Sequence, residues 1–85
     1  MSLGIYFHSP QGGLTLRPES VAILFQAMGW SVPPEPAGTR TLLEARVGLE
    51  KAKRILQGRE LDLAIALEQV VDALSDDCEE NLEWA

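Results

Sequence analysis

The chain has 85 residues, 46% of them hydrophobic, and a formal net charge of −6 at pH 7. That length makes one small domain, and the apolar content is that of a folded chain rather than a disordered one. A single Cys cannot form an internal disulfide, and no apolar run approaches the ~20 residues that span a bilayer. With no basic, apolar leader at the N-terminus, the expectation is a soluble, cytoplasmic protein.

The charge is unevenly distributed. Residues 1–39 sum to −1, residues 40–59 to +4, and residues 60–85, with nine acids and no base, to −9. A basic third beside an acidic third disfavours nucleic-acid binding by the whole surface.

The first expected element is a β-hairpin over about residues 3–17. Ile5 and Phe7 alternate with Tyr6 and His8, Leu14 and Leu16 alternate with Thr15 and Arg17, and Ser9-Pro10-Gln11-Gly12-Gly13 supplies the turn. Pro18 suits a first helical turn and Gly29 a helix stop, which predicts a helix over 18–29. Its apolar residues (Val21, Ile23, Leu24, Phe25, Ala27, Met28) surround most of the axis, so this helix is expected at the centre of the fold. Residues 30–40 read as an extended connector stiffened by Pro33, Pro34 and Pro36.

Thr41-Leu42-Leu43-Glu44 fits a capping box and opens a helix predicted over 41–57. Leu42, Ala45, Leu49, Ala52 and Leu56 form a seam at three-four spacing. Leu43 and Val47 fall on another side of the same helix, so this side is assigned to self-association. A last helix is predicted over 60–83. Leu63, Leu67, Val70, Val71, Leu74 and Cys78 gather on its apolar face, with Cys78 as a small filler, and Glu68, Asp72, Asp76, Glu79 and Glu83 lie opposite. The predicted fold class is mainly α (α+β), a single compact domain in the order ββααα.

Motifs for chemistry are missing. His8 and Cys78 are the only residues of their kinds, too few for a zinc site, and the acidic run lies on a predicted helix rather than on a calcium-binding loop. His8 and Ser9 are adjacent, but neighbours on a strand point to opposite faces. Gly4-Ile5-Tyr6 resembles the first half of the GIY-YIG nuclease motif, whose second half is absent. Gly12-Gly13 lacks the Lys and helix of a phosphate-binding loop. The expectation is therefore no enzyme, no cofactor, no metal and no small-molecule substrate.

What remains is a protein-protein interaction module, a regulator or inhibitor that forms a homo-oligomer, as a dimer. Asp72, Asp76, Glu79 and Glu83 would meet a basic protein, with Trp84 as an aromatic anchor beside them. Only edge acids such as Glu60 and Asp77 are expected to reach the basic helix of the same chain. The alternative is a DNA-related role: helix-turn-helix-like binding through helix 41–57, or acidic mimicry of DNA through helix 60–83. Glu44 and Glu50 interrupt the basic helix, and the connector is too long for the usual turn, so nucleic acid is the less favoured partner.

Overall fold

The computed structural model describes residues 4–32 and 37–85. Their chain order is β1 (Ile5–Phe7), β2 (Leu14–Leu16), α1 (Pro18–Met28), β3 (Gly38–Thr41), α2 (Leu42–Ile55), α3 (Arg59–Asp76) and β4 (Asn81–Trp84). The expected α+β class, an N-terminal hairpin with three helices, is what the chain adopts. Two further strands, β3 and β4, extend the hairpin into a four-stranded antiparallel sheet. Leu3 of the expected hairpin and the prolines of the connector lie outside the described residues. The radius of gyration, 11.7 Å, matches the ~12 Å of a compact chain of this length.

The strand order is β2-β1-β4-β3, so the last strand of the chain lies inside the sheet, between the first and the third. β1 pairs with β2 (Ile5 opposite Leu16, Phe7 opposite Leu14), and β4 pairs with β3 (Trp84 opposite Gly38, Leu82 opposite Arg40). β1 joins β4 at Phe7 opposite Trp84, flanked by hydrogen bonds between Tyr6 and Ala85 and from His8 N–H to the Glu83 carbonyl. Alternation then decides which side chains enter the core. Ile5, Phe7, Leu82 and Trp84 are buried, while Tyr6, Thr15, Asn81 and Glu83 are exposed on the opposite face.

Each helix begins or ends on local chemistry. Pro18 opens α1 with its fixed φ. Gly29, at φ +81°, closes it in a Schellman motif: its N–H bonds the Gln26 carbonyl, and Trp30 N–H bonds that of Phe25. The Trp30 and Phe25 rings meet at 4.8 Å and supply the apolar contact that accompanies such a stop. α2 carries the expected capping box: Thr41 Oγ1 accepts from Glu44 N–H at 3.1 Å, and Glu44 Oε1 accepts from Thr41 N–H at 3.1 Å. These bonds from Thr41, backbone first, hold the Glu44 carboxyl below the usual Glu range. Gly58, at φ +62°, turns the chain from α2 into α3.

The core lies between the helices and the inward face of the sheet. Val21, Leu24, Phe25 and Met28 of α1, Ala45, Leu49 and Ala52 of α2, and Ala64, Leu67, Val71 and Leu74 of α3 pack with the inward strand residues. Gly48, buried on α2, permits a close approach of α1. A Cβ there would stand 2.9 and 3.0 Å from Cε and Cβ of Met28.

Helix α3 stops at Asp76, seven residues short of the predicted end at 83. Cys78 takes a left-handed φ of +60°, its N–H bonds the Ser75 carbonyl, and Glu79 N–H bonds that of Leu74. This is again a Schellman stop, built on Cys rather than Gly. Asp76, Asp77, Glu79 and Glu80 crowd a helix C-terminus whose dipole repels them, and the turn spares all but the first two from it. Cys78 is therefore exposed at a turn and fills no core position.

Candidate functional site

Breaking α3 at Asp76 rearranges the acids. The expected row of Asp72, Asp76, Glu79 and Glu83 does not share one helix face. Asp72 is on α3, Asp76 is its last residue, Glu79 is in the following turn, and Glu83 is on the outer face of β4. Asp72 also faces inward along the surface, accepting from Arg46 Nη1 of α2 at 3.0 Å. Glu68 accepts from Lys53 Nζ, and this bond, ahead of the nearby carboxylate charge, raises the Lys53 pKa. Two acids of the supposed outer row thus pair with the basic helix of the same chain. Relative helix rotation decides this, and the residue spacing of each helix alone does not reveal it.

Trp84 does not stand as an anchor beside the acids. It is 3% exposed and packs with Phe7, Phe25 and Trp30, its ring centroid 5.2 Å from Phe25 and stacked on Trp30 at 5.9 Å. The Arg40 guanidinium sits over both indoles, 5.5 Å from Trp30 and 5.8 Å from Trp84, a cation-π cap on the cluster. The alternation of Leu82 and Trp84 against Asn81 and Glu83 carried the signal for this strand, although four residues of it were outweighed by the helical spacing upstream.

The turn after α3, the start of β4 and the hairpin loop enclose a cleft of about 290 Å³ lined by Tyr6, His8, Ser9, Pro10, Leu74, Glu79, Asn81 and Glu83. Tyr6 is fixed on one wall. Its hydroxyl accepts from Gly13 N–H at 3.2 Å, and its ring meets that of His8 edge-on at 4.9 Å. His8, the residue after β1, is joined to Glu83 of β4 through the His8 N–H. Tyr6 and Asn81 were not singled out in the sequence, although Tyr6 lies on the outward side of the β1 alternation. Of the acids, Glu79 and Glu83 line this cleft, while Asp76, Asp77 and Glu80 are exposed at the end of α3 and in the turn that follows it, and none of the five forms an ion pair among the described residues.

The residues assigned to self-association lie apart, on α2. Leu43 is 73% and Val47 51% exposed. Among the described residues no group of three His, Cys, Asp or Glu side chains is arranged to hold a metal ion, and no helix is long and apolar enough to cross a membrane. No protein-family model, curated protein or solved structure matches this chain.

Proposed function

We propose that the chain is a non-catalytic protein-binding module, a regulator or inhibitor that engages a basic protein partner through its acidic end and self-associates through α2. The observation that carries the first part is the run of five exposed carboxylates between Asp76 and Glu83, unpaired with any described base, of which Glu79 and Glu83 line the cleft between the hairpin loop and β4. Such a field speeds encounter with a basic surface, and a concave rim with a fixed aromatic wall gives that encounter a place to dock. Trp84 leaves the set of contact residues because it is core, and Asp72 leaves it because Arg46 holds it. Asp76, Glu79 and Glu83 remain, joined by Tyr6 and Asn81.

The DNA reading through α2 is weaker on this geometry. Arg46 and Lys53 are tied to Asp72 and Glu68, which removes two of the cations that phosphates would need. The segment before α2 is strand β3, so α1 and α2 are not joined by a helix-turn-helix turn. Acidic mimicry of DNA loses its ordered row once α3 ends at Asp76.

The test replaces Asp76→Asn, Glu79→Gln and Glu83→Gln together and compares capture of basic proteins from the native host with that by the unaltered chain. The expected result is loss of the enriched basic partner, and an association rate that becomes less sensitive to salt. Equal enrichment by both chains contradicts the reading.

A further inference from the structure

Of α2's surface, three directions are already taken. Ala45, Leu49 and Ala52 enter the core, Arg46 and Lys53 are tied to α3, and Gly48 abuts Met28 and Trp30 at the end of α1. The fourth direction is open. Leu43, Val47, Glu50 and Arg54 follow one another at spacings of four, three and four, which keeps them on one face for about three turns. All four are exposed, as are Glu44 and Lys51 on the flank of the same face.

This face is graded in charge. Its N-terminal half carries the apolar pair with Glu44, for −1, and its C-terminal half carries Glu50 with Lys51 and Arg54, for +1. A surface of that kind complements itself only when turned end over end. With a two-fold axis beside Val47, the Val47 side chains of two copies meet, and Glu44 of each stands at the height and on the flank of Lys51 of the other. Leu43 of each then lies against the methylene stems of Glu50 and Arg54 of the other, as long charged side chains accept an apolar neighbour. A parallel pairing would carry Glu44 and Lys51 of one copy to the flank opposite those of the other, so that neither meets its counter-charge, and it would align the two helix dipoles unfavourably.

We infer that the open face of α2 binds a second copy of this chain as an antiparallel helix pair centred on Val47, with Glu44 of each copy opposite Lys51 of the other. The inference rests on the self-association part of the proposed function and is independent of the acidic end. It assigns the occupant by charge complementarity: the exposed residues on the face, of which Glu50 also lies 3.8 Å from Lys53 and Glu44 also caps its own helix, sum to two acids, two bases and two apolar groups, which an identical face matches and a uniformly charged partner would not.

The experiment is sedimentation equilibrium from micromolar to submillimolar concentration, on the full chain and on three variants. The unaltered chain is expected to form dimers and no larger species. Val47→Asp, at an exposed position that leaves the core untouched, should weaken dimerisation at least about tenfold. Glu44→Lys and Lys51→Glu, each alone, should weaken it roughly three- to tenfold, since each creates two like-charge pairs per dimer. Mixing these two variants should restore dimerisation, because each copy then presents the sign that the other lacks. Glu44→Lys also breaks the α2 capping box, so melting of each variant is followed separately, and restoration on mixing cannot come from the cap. A monomer at all concentrations overturns both self-association and this pairing. A dimer insensitive to Val47→Asp places self-association on another surface, and a dimer sensitive to Val47→Asp but not restored by mixing overturns the antiparallel register alone.

Discussion

Replacing Trp84 with Ala is expected to cost about 3–5 kcal/mol, as for a large aromatic removed from a core. The residue is second from the end of the chain, where a substitution is ordinarily harmless. Here it is on an inner strand, 3% exposed, and touches Phe7, Phe25 and Trp30. Those three with Trp84 are all the Phe and Trp residues of the chain, so the aromatic core has one centre. At roughly 0.05–0.15 kcal/mol per residue, a domain of 85 residues has about 4–13 kcal/mol in total, and the variant would lose a large part of it. Urea unfolding followed by far-ultraviolet circular dichroism measures the loss. A change under about 1 kcal/mol would mean that the indole is solvated and that β4 is not part of the sheet.

The second large effect is expected at Gly38→Ala, opposite Trp84 in the β3–β4 ladder. A Cβ at residue 38 would stand 2.5 Å from Cζ2 and 2.8 Å from Cε2 of Trp84. The indole cannot swing aside, since Phe25 and Trp30 flank it and Arg40 covers it. Overpacking of this kind costs about 1–3 kcal/mol. Ala would return about 0.4–1 kcal/mol through the unfolded chain only if the native backbone accepted it without strain, so destabilisation wins. Combining Gly38→Ala with Trp84→Phe is expected to cost less than the two single changes added, because the smaller ring leaves room for the methyl. Strict additivity in urea unfolding would show that residue 38 and the ring are not in contact.

Much of the fold was legible because local signals agreed with one another. Ile5 and Phe7 against Tyr6, with two glycines in the turn, specify the hairpin. Pro18 and Gly29 bracket α1, and Thr41 with Glu44 opens α2. The chain between Asp76 and Asn81 carried no such signal. The left-handed position falls on Cys78, a residue with a Cβ and no special liking for it, so nothing in the sequence marks a helix stop. Helical spacing therefore ran on through Leu82 and Trp84, and β4 was absorbed into α3. β3 was hidden in the same way, since Gly38-Thr39-Arg40-Thr41 follows three prolines and becomes a strand only when β4 is there to pair with it.

The candidate site was legible in its charge and not in its shape. The excess of acid over residues 60–85 is plain from composition, and Asp76, Glu79 and Glu83 are each exposed, the last two lining the same cleft. That Asp72 turns to Arg46 and Glu68 to Lys53 depends on how α2 and α3 are rotated against each other. The cleft requires β4 to return beside β1, which brings Glu83 next to His8. Leu43 and Val47 needed only helical spacing, and both lie exposed on α2.

Strand β4 ties the fold to the site: as an inner strand it buries Trp84, follows the early end of α3 and places Glu83 on the rim of the cleft. Amide hydrogen exchange followed by NMR reads this strand residue by residue. The expected result is protection of the Leu82–Ala85 amides comparable with that of β1, including Ala85, whose N–H bonds the Tyr6 carbonyl at 2.9 Å. Exchange across Leu82–Ala85 at the rate of an unstructured chain, with β1 still protected, would contradict it.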